Sequence, residues 1–397
     1  MKEGWILFVY INIEVAIKIL YVLIVLNIVF AVVVYAMKIK KLNRTKIERR
    51  FEGKIKDYFT YVLVNAEGKE PLNAPPFSMT KVEQEVMQER LNDMIENFTG
   101  TPREKCMALC KRLGLVQYHL DRLKKGSHAV KIDAAYHLGC MRVQEAVPAL
   151  LKLLQTHKLN SYLFVIARSI AKCARDEQDV KDMVQILLRH NKGFYDLLVD
   201  IIKEADINHG ALFAKFIKRE NNAFIQIGLG GLKDYTEPTV ASAVYRLIDS
   251  TDSTIQYKAV EIYLKSVHFI PRNVVQKLLR HPLDEVRVLT VQAIADLQMV
   301  TYIDVMRNAL LDESKRVSDA SAKGLLLLGE EGIAALCSVT AEAKGSEHGE
   351  YLQMLIEGEI KSLSIQLHDL DQLTRYNSLD YHYEKMLGKN KQIYRVV

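Results

Sequence analysis

The sequence predicts an all-α fold: an α-solenoid of stacked helical pairs behind one N-terminal transmembrane helix. Three observations carry that reading. A pattern of about 31 residues recurs seven times in tandem without a gap. Residues 19–37 form a run without a single charge. No alternating strand pattern appears anywhere in the repeat region.

The uncharged run lies between Lys18 and Lys38 and is rich in Val, Ile and Leu. As a helix it spans about 28 Å, close to the hydrocarbon thickness of a bilayer. It is too long for a signal peptide, no small-residue cleavage site follows, and the positive charges lie on the wrong side. Lys38, Lys40, Lys41, Arg44, Lys46, Arg49, Arg50, Lys54 and Lys56 follow it, opposed only by Glu48 and Glu52. By the positive-inside rule the amino terminus is outside and the rest of the chain is cytoplasmic. The seven cations from Lys38 to Arg50 are the candidate membrane-interface residues. They either touch anionic lipid, at about 1 kcal/mol each, or serve only to fix topology.

Residues 5–17 are also apolar apart from Asn12 and Glu14. Together with the span they make a helix of roughly 50 Å, too long to cross a bilayer upright. This segment either lies along the outer interface, with Trp5 and Tyr10 as anchors, or packs on a larger membrane protein. Glu14 and Lys18 stand four apart and can pair. That pair is either neutralised at the interface or, with Asn27 in mid-span, a polar contact to a partner's transmembrane helix.

Residues 39–65 read as a basic amphipathic stalk helix whose apolar stripe is Ile47, Phe51, Ile55, Phe59 and Val62. Residues 66–79, with Gly68, Pro71, Pro75 and Pro76, read as a linker. Thr80 and Glu83 then form a capping-box pattern that opens a helical N-terminal cap over 80–127. Its first helix carries Val82, Val86, Leu91, Ile95 and Phe98 on one side and lies against the stalk or joins the next helical pair. That pair, 103–113 and 115–125, follows a helix start at Thr101-Pro102-Arg103-Glu104.

The seven repeats fill 128–345 and are anchored at Val130, Tyr162, Phe194, Phe224, Ile255, Val286 and Val317. Five residues after each anchor stand Ala135, Ala167, Val199, Leu229, Val260, Val291 and Ala322; eight after, Leu138, Ile170, Ile202, Leu232, Tyr263, Ile294 and Leu325. Offsets of zero, four, five and eight trace one face of a helix. A second helix begins roughly sixteen to eighteen residues after each anchor. One such pair cannot bury both its faces, so stacked pairs share a core and curve into a superhelix. Residues 346–397 close the far end, through Leu363, Ile365, Leu367 and Leu370, and finish in a tail with Tyr376, Tyr381, Tyr383 and Tyr394 among Lys385, Lys389, Lys391 and Arg395. The tail either docks on a protein or membrane or belongs to the cap.

Val130-Lys131, Ala134-Ala135 and Leu138-Gly139, followed by Ala146-Val147-Pro148-Ala149-Leu150-Leu151, resemble the HEAT (HEAT/armadillo-type) repeat, especially the bacterial phycobilisome-lyase-like subgroup. Asp284-Glu285-Val286-Arg287 is a second match. The resemblance covers roughly residues 100–345. Units two and three depart from it, with Leu163 and Tyr195 where a basic residue is usual. Similar bacterial membrane-tethered HEAT proteins imply an inner-membrane location and, as partner, a polysaccharide-synthesising glycosyltransferase or another envelope complex. The lyase relatives imply instead an enzyme that attaches or detaches a chromophore, and other HEAT-like proteins imply nucleic-acid binding.

The residues favour the first of these. The chain carries a net charge of +6, yet residues 1–56 hold eleven basic and four acidic residues, +7, which leaves −1 for the rest. A nearly neutral repeat argues against nucleic acid. The five cysteines, all beyond the span, fit a reducing compartment. Cys106 and Cys110 share a helix face among apolar neighbours and read as a packed pair; His119, His128 and His137 fall on a helix, a turn and another helix and read as no metal site. Gly228-Leu229-Gly230-Gly231 lacks a preceding strand and reads as a tight helix crossing. No nucleophile, phosphate loop or metal motif appears. The expectation is a non-enzymatic, single-pass scaffold with no cofactor, no metal, no nucleic acid and no small-molecule substrate, whose partners are the membrane and a subunit of a membrane complex.

Overall fold

The structure, a computed structural model, describes residues 2–156, 161–190, 193–365 and 370–388, with the backbone alone for 2–16 and 190. Among the described residues there are twenty α-helices and no strands. The chain divides into two compact units, Met1–Ile186 with Glu204–Asp206, and Leu187–Lys203 with Ile207–Val397.

The first unit holds α1 (Lys2–Asn65), α2 (Lys81–Asn97), α3 (Gly100–Arg112), α4 (Leu115–Lys125), α5 (His128–Cys140), α6 (Val147–Thr156), α7 (Tyr162–Cys173) and the start of α8 (Glu177–His190). The second holds α9 (Tyr195–Ile202), α10 (His209–Phe216), α11 (Asn222–Leu232), α12 (Pro238–Val244), α13 (Ser253–Ser266), α14 (Arg272–Leu279) and α15 (Asp284–Asp296). It continues with α16 (Ile303–Leu310), α17 (Lys315–Leu327), α18 (Gly329–Glu342), α19 (Glu347–Ile365) and α20 (Leu370–Leu387). In the second unit α9, α11, α13, α15 and α17 pack each on the next, and α10, α12, α14 and α16 pack on the helix that follows them. In the first, α5 packs on α7. Within each unit these layers touch their neighbours, the arrangement a helical-pair repeat needs to bury both faces.

The residues five and eight after each anchor are buried in all seven copies. Full burial of a Leu, Ile or Val side chain contributes roughly 1.5–3 kcal/mol, so these two positions are the spine of the core. The anchors themselves divide. Phe224, Ile255, Val286 and Val317 are buried, whereas Val130 is half-exposed and Tyr162 and Phe194 are 50% and 43% exposed. Helix starts account for the two aromatic anchors. Each buried anchor is the third residue of its helix, but Tyr162 is the first of α7 and Phe194 precedes α9, so both hang at the helix end, away from the packed face.

Twelve residues after the anchor, units one, six and seven share a left-handed residue: Arg142 (φ 51°), Gln298 (φ 53°) and Gly329 (φ 76°). Val143 N–H donates to Leu138 O at 3.1 Å and Met299 N–H to Ile294 O at 3.0 Å, the long bond of a Schellman-type helix end. Only Gly329 adopts this conformation without a Cβ penalty.

Several boundaries differ from the sequence expectation. α3 starts at Gly100, with Thr99 as its cap, so Pro102 is the third residue of the helix and not the first. The position is tolerated because the first helical N–H groups lack intrahelical acceptors in any case. At the far end Leu363 is buried, but Ile365 and Leu370 are exposed, and Leu367 lies outside the described residues. Leu352, Ile356, Ile360, Leu379 and Tyr383 fill that core instead. Tyr383 donates to Glu357 Oε1 at 2.5 Å. Tyr394, Lys389, Lys391 and Arg395 of the tail lie outside the described residues.

Candidate membrane-proximal interaction site

α1 is one unbroken helix of 64 residues, about 96 Å long. Every described side chain from Ile17 to Arg44 is exposed. It is the helix among the described residues that is long and apolar enough to cross a membrane, a property a signal sequence shares. A buried core helix would pass the same test, but the apolar run is exposed along its whole described length.

The candidate interface cations Lys38, Lys40, Lys41, Arg44, Lys46, Arg49 and Arg50 all lie on α1 and are exposed. Arg44 pairs with Glu48 on its own helix at 2.7 Å and with Glu85 of α2 at 3.2 Å. Asn27 donates its amide to Leu23 O at 2.9 Å. The side chain of Glu14 lies outside the described residues. Lys18 and Asn27, nine residues apart, stand about 180° apart around the helix, so they do not face one neighbour together.

Beyond the basic segment α1 becomes part of a packed joint. Phe51, Ile55, Tyr58 and Val62 are buried, at the i, i+4, i+7 spacing of one face; Ile47 stays exposed and Phe59 is half-buried. The segment that reads as a linker is in fact an extended strap against this face. Leu72 is 1% exposed, and Phe77 stands edge-on to Phe51 at 6.1 Å and to Tyr58 at 6.4 Å. Tyr58 Oη donates to Asn73 O at 2.6 Å, and Asn73 N–H donates to Tyr61 Oη at 3.1 Å. Prolines suit such a strap because they fix an extended backbone that needs few ladder bonds. α1 has no basic residue in its last turn; Lys105 of α3 supplies the cation, donating to Asn65 O at 3.0 Å and Gly68 O at 2.5 Å, which offsets the negative end of the helix dipole.

α2 opens with the capping box the sequence predicts at Thr80 and Glu83. It packs on α1, α3 and α5 at once. That explains why Met87, Gln88 and Asn92 are buried in addition to Val86, Leu91 and Ile95. Arg90 reaches Glu52 of α1 at 3.0 Å.

The fold brings His119 of α4 and His137 of α5 together, with ring centroids 4.6 Å apart; His128 opens α5. His119 Nδ1 faces Arg122 Nη1 at 3.4 Å, and its Nε2 lies 3.0 Å from Gln88 Oε1. The Gln88 amide presents both its Oε1 and, at 2.8 Å, its Nε2 to the ring Nε2. Asn92 Nδ2 donates to His137 Nδ1 at 3.3 Å, and Arg122 binds Asp133 at 2.6 Å. No group of three metal-ligating side chains occurs among the described residues. Linear spacing concealed the pair because α4 and α5 are antiparallel neighbours joined by a short turn.

Burial pushes the His119 imidazole down to about 3, with His137 and Arg122 adding to the effect. Burial also lowers His137, against the opposing pull of Asp133. Unfolded, both protonate near 6.5; folded, they stay neutral to lower pH. On acidification the unfolded chain binds more protons, so stability is unchanged above pH 6.5 and is lost as pH falls from 6.5 towards 3. The melting midpoint of the full chain should therefore drop between pH 6.5 and 4.5 more steeply than that of His119→Gln. Parallel curves would contradict the assignment.

All five cysteines are buried. Burial raises Cys106 to about 11 and Cys110, Cys173 and Cys337 to about 12. Gly228 and Gly231 sit at a close helix crossing, where an added Cβ would come within 2.9 Å of Phe213 O and 2.4 Å of its ring.

No protein-family model matches the sequence, and no curated protein matches it either. Among similar solved structures is the one in which Kap95p binding induces the switch loops of RanGDP to adopt the GTP-bound conformation. Identity is 9% and the TM-score 0.38, over 79% of this chain and 51% of that one; the chain thus spans about half its length. Another is the complex of CpcE and CpcF of phycocyanin lyase from a Nostoc species, at 17% identity and a TM-score of 0.24, over 67% of this chain and 94% of that one. At such values neither overlay bears on function. The internal geometry defines the class: an all-helical protein of packed helical pairs, the architecture that the resemblance to HEAT-type repeats implies.

Proposed function

We propose that this chain is a non-enzymatic scaffold, anchored once in the plasma (inner) membrane, that presents its helical repeats to a protein partner at the cytoplasmic face. The observation that carries the reading is α1, in which an exposed apolar run continues without a break into a stalk packed by the strap, α2 and Lys105. Such a joint holds the adjoining helices at a fixed distance from the bilayer, where a loose tether would not. The seven cations from Lys38 to Arg50 lie within about 20 Å of the end of the apolar run and suit anionic headgroups. The partner is a subunit of a membrane complex, with a polysaccharide-synthesising glycosyltransferase or another envelope complex as the first class to examine.

Two further features support a binding role over catalysis or nucleic-acid recognition. The thiols are held protonated by burial, which disfavours nucleophilic use. Cations on the helix surfaces are matched by carboxylates, as with Lys203 and Asp234, Lys265 and Glu261, and Lys172 and Glu96, leaving little for a phosphate backbone to neutralise.

Topology tests the reading. Because the native cysteines are buried, labelling of intact cells with an impermeant maleimide should have a low background. Glu3→Cys is expected to label from outside, and Glu313→Cys, at a side chain 91% exposed, only after permeabilisation. The reverse pattern would sink the proposed orientation.

A further inference from the structure

A cavity of about 490 Å³ forms a groove between α1 and α2. Its floor is Ile55, Phe59 and Leu63 from α1, Met94 from α2 and Phe98, the residue that follows α2. On α1 these residues stand at i, i+4 and i+8, a ridge that a further helix would mesh with, and Met94 and Phe98 line the facing wall. Leu63 is 53% exposed and its neighbour Val64 74%. The Arg90 and Glu52 pair closes the membrane-proximal end. From Glu52 to Leu63 the groove runs about 17 Å, three helical turns.

Two features of the groove identify its occupant. Ile55 lies eighteen residues past Met37, about 27 Å along the helix, whereas the headgroup layer is only about 5–8 Å deep on each side. A bilayer acyl chain does not reach that far. The rims carry Lys56 on one side and Asp93 on the other, both exposed and neither in an ion pair among the described residues. An apolar floor with one cation and one carboxylate at its edges complements an amphipathic helix that carries an acidic and a basic residue beside its apolar stripe.

We infer that this groove docks an amphipathic cytoplasmic helix of the membrane-bound partner, with a carboxylate facing Lys56 and a cation facing Asp93. The inference rests on the scaffold reading and gives it a contact point on the stalk. A photoreactive phenylalanine in place of Leu63, in the full-length protein in its native membrane, tests it directly. Asp57, exposed on the opposite side of α1, is the control position.

The expected result is a cross-link from position 63, absent from position 57, to a peptide of another protein with apolar residues at helical spacing and flanking charges of both signs. Lys56→Glu combined with Asp93→Lys should lower its yield at least tenfold. Adducts to lipid or to a second copy of this chain, equal yields at both positions, or indifference to the charge reversal would each overturn the inference. The two levels separate in co-purification. If Leu63→Glu with Met94→Glu retains the partner at the wild-type level and keeps its helical circular dichroism, the groove is not the contact, though the scaffold reading stands. If the wild-type protein brings down no partner, both fall.

Discussion

Replacement of Arg287 by Ala is expected to destabilise the second unit by about 3–5 kcal/mol, the cost of leaving one member of a buried ion pair alone. Arg287 is only 7% exposed at its side chain and Asp312 16%. The guanidinium binds the carboxylate in two places, Nε to Oδ2 at 2.9 Å and Nη2 to Oδ1 at 2.8 Å, and Nη1 donates to His281 O at 2.7 Å. Asp312 Oδ1 also accepts from Ser314 N–H at 2.8 Å, ordering the turn into α17. One side chain of α15 thus fixes the loops on both sides of its repeat. Hydrogen exchange of the α15 and α17 amides should accelerate a hundredfold or more in Arg287→Ala, since each 1.4 kcal/mol is a factor of ten. Arg287→Met with Asp312→Leu should recover much of the loss, because removing both charges abolishes the desolvation penalty. An unchanged exchange rate in the single variant would show that the pair has no structural weight.

The second large effect lies at the α10 and α11 crossing. A Cβ on Gly231 would stand 2.4–2.5 Å from three atoms of the Phe213 ring, and one on Gly228 would meet Phe213 O at 2.9 Å and Ile217 N at 3.0 Å. Phe213 is fully buried, and backbone atoms cannot move aside as a flexible side chain does. Gly228→Ala with Gly231→Ala should therefore cost at least the roughly 1–3 kcal/mol of overpacking, despite Ala being the better helix former. Gly358→Ala is the comparison: nothing lies within 4 Å of its Cβ position in α19, and the helix should gain about 0.5–1 kcal/mol. Thermal melts of the three proteins check the order, and a crossing variant as stable as the Gly358 variant would contradict the close approach.

What the sequence made legible follows from local rules. Positions five and eight after each anchor are buried throughout because helical periodicity alone places them. The capping box at Thr80 and Glu83 and the small residues at Gly228 to Gly231 were equally readable, as each depends on neighbours within one or two turns. The family resemblance singled out a basic residue after the anchor, and Arg287 supplies its physical reason, the clamp on the next loop. A basic residue follows the anchor only in units one and six, as Lys131 and Arg287; units four, five and seven lack it and still bury their anchors, so the exposure of Tyr162 and Phe194 follows from where their helices start.

The remainder depended on tertiary contacts that no periodicity encodes. Prolines and a glycine in 66–79 signal only the absence of helix, so the strap reads as a linker until Phe77, Asn73 and Leu72 are seen against α1. His119 and His137 are eighteen positions apart, and only the antiparallel pairing of α4 with α5 brings them to 4.6 Å. The groove is likewise invisible in sequence. It is framed by two helices that are joined through fifteen residues of strap, and its rims belong one to each.

The most direct test of the scaffold account is the composition of the native particle. The full-length protein, extracted from its own membrane in a gentle detergent and purified by affinity and size exclusion, is predicted to elute with a stoichiometric membrane-protein partner identifiable by mass spectrometry. Elution alone as a monomer under the same conditions would contradict it.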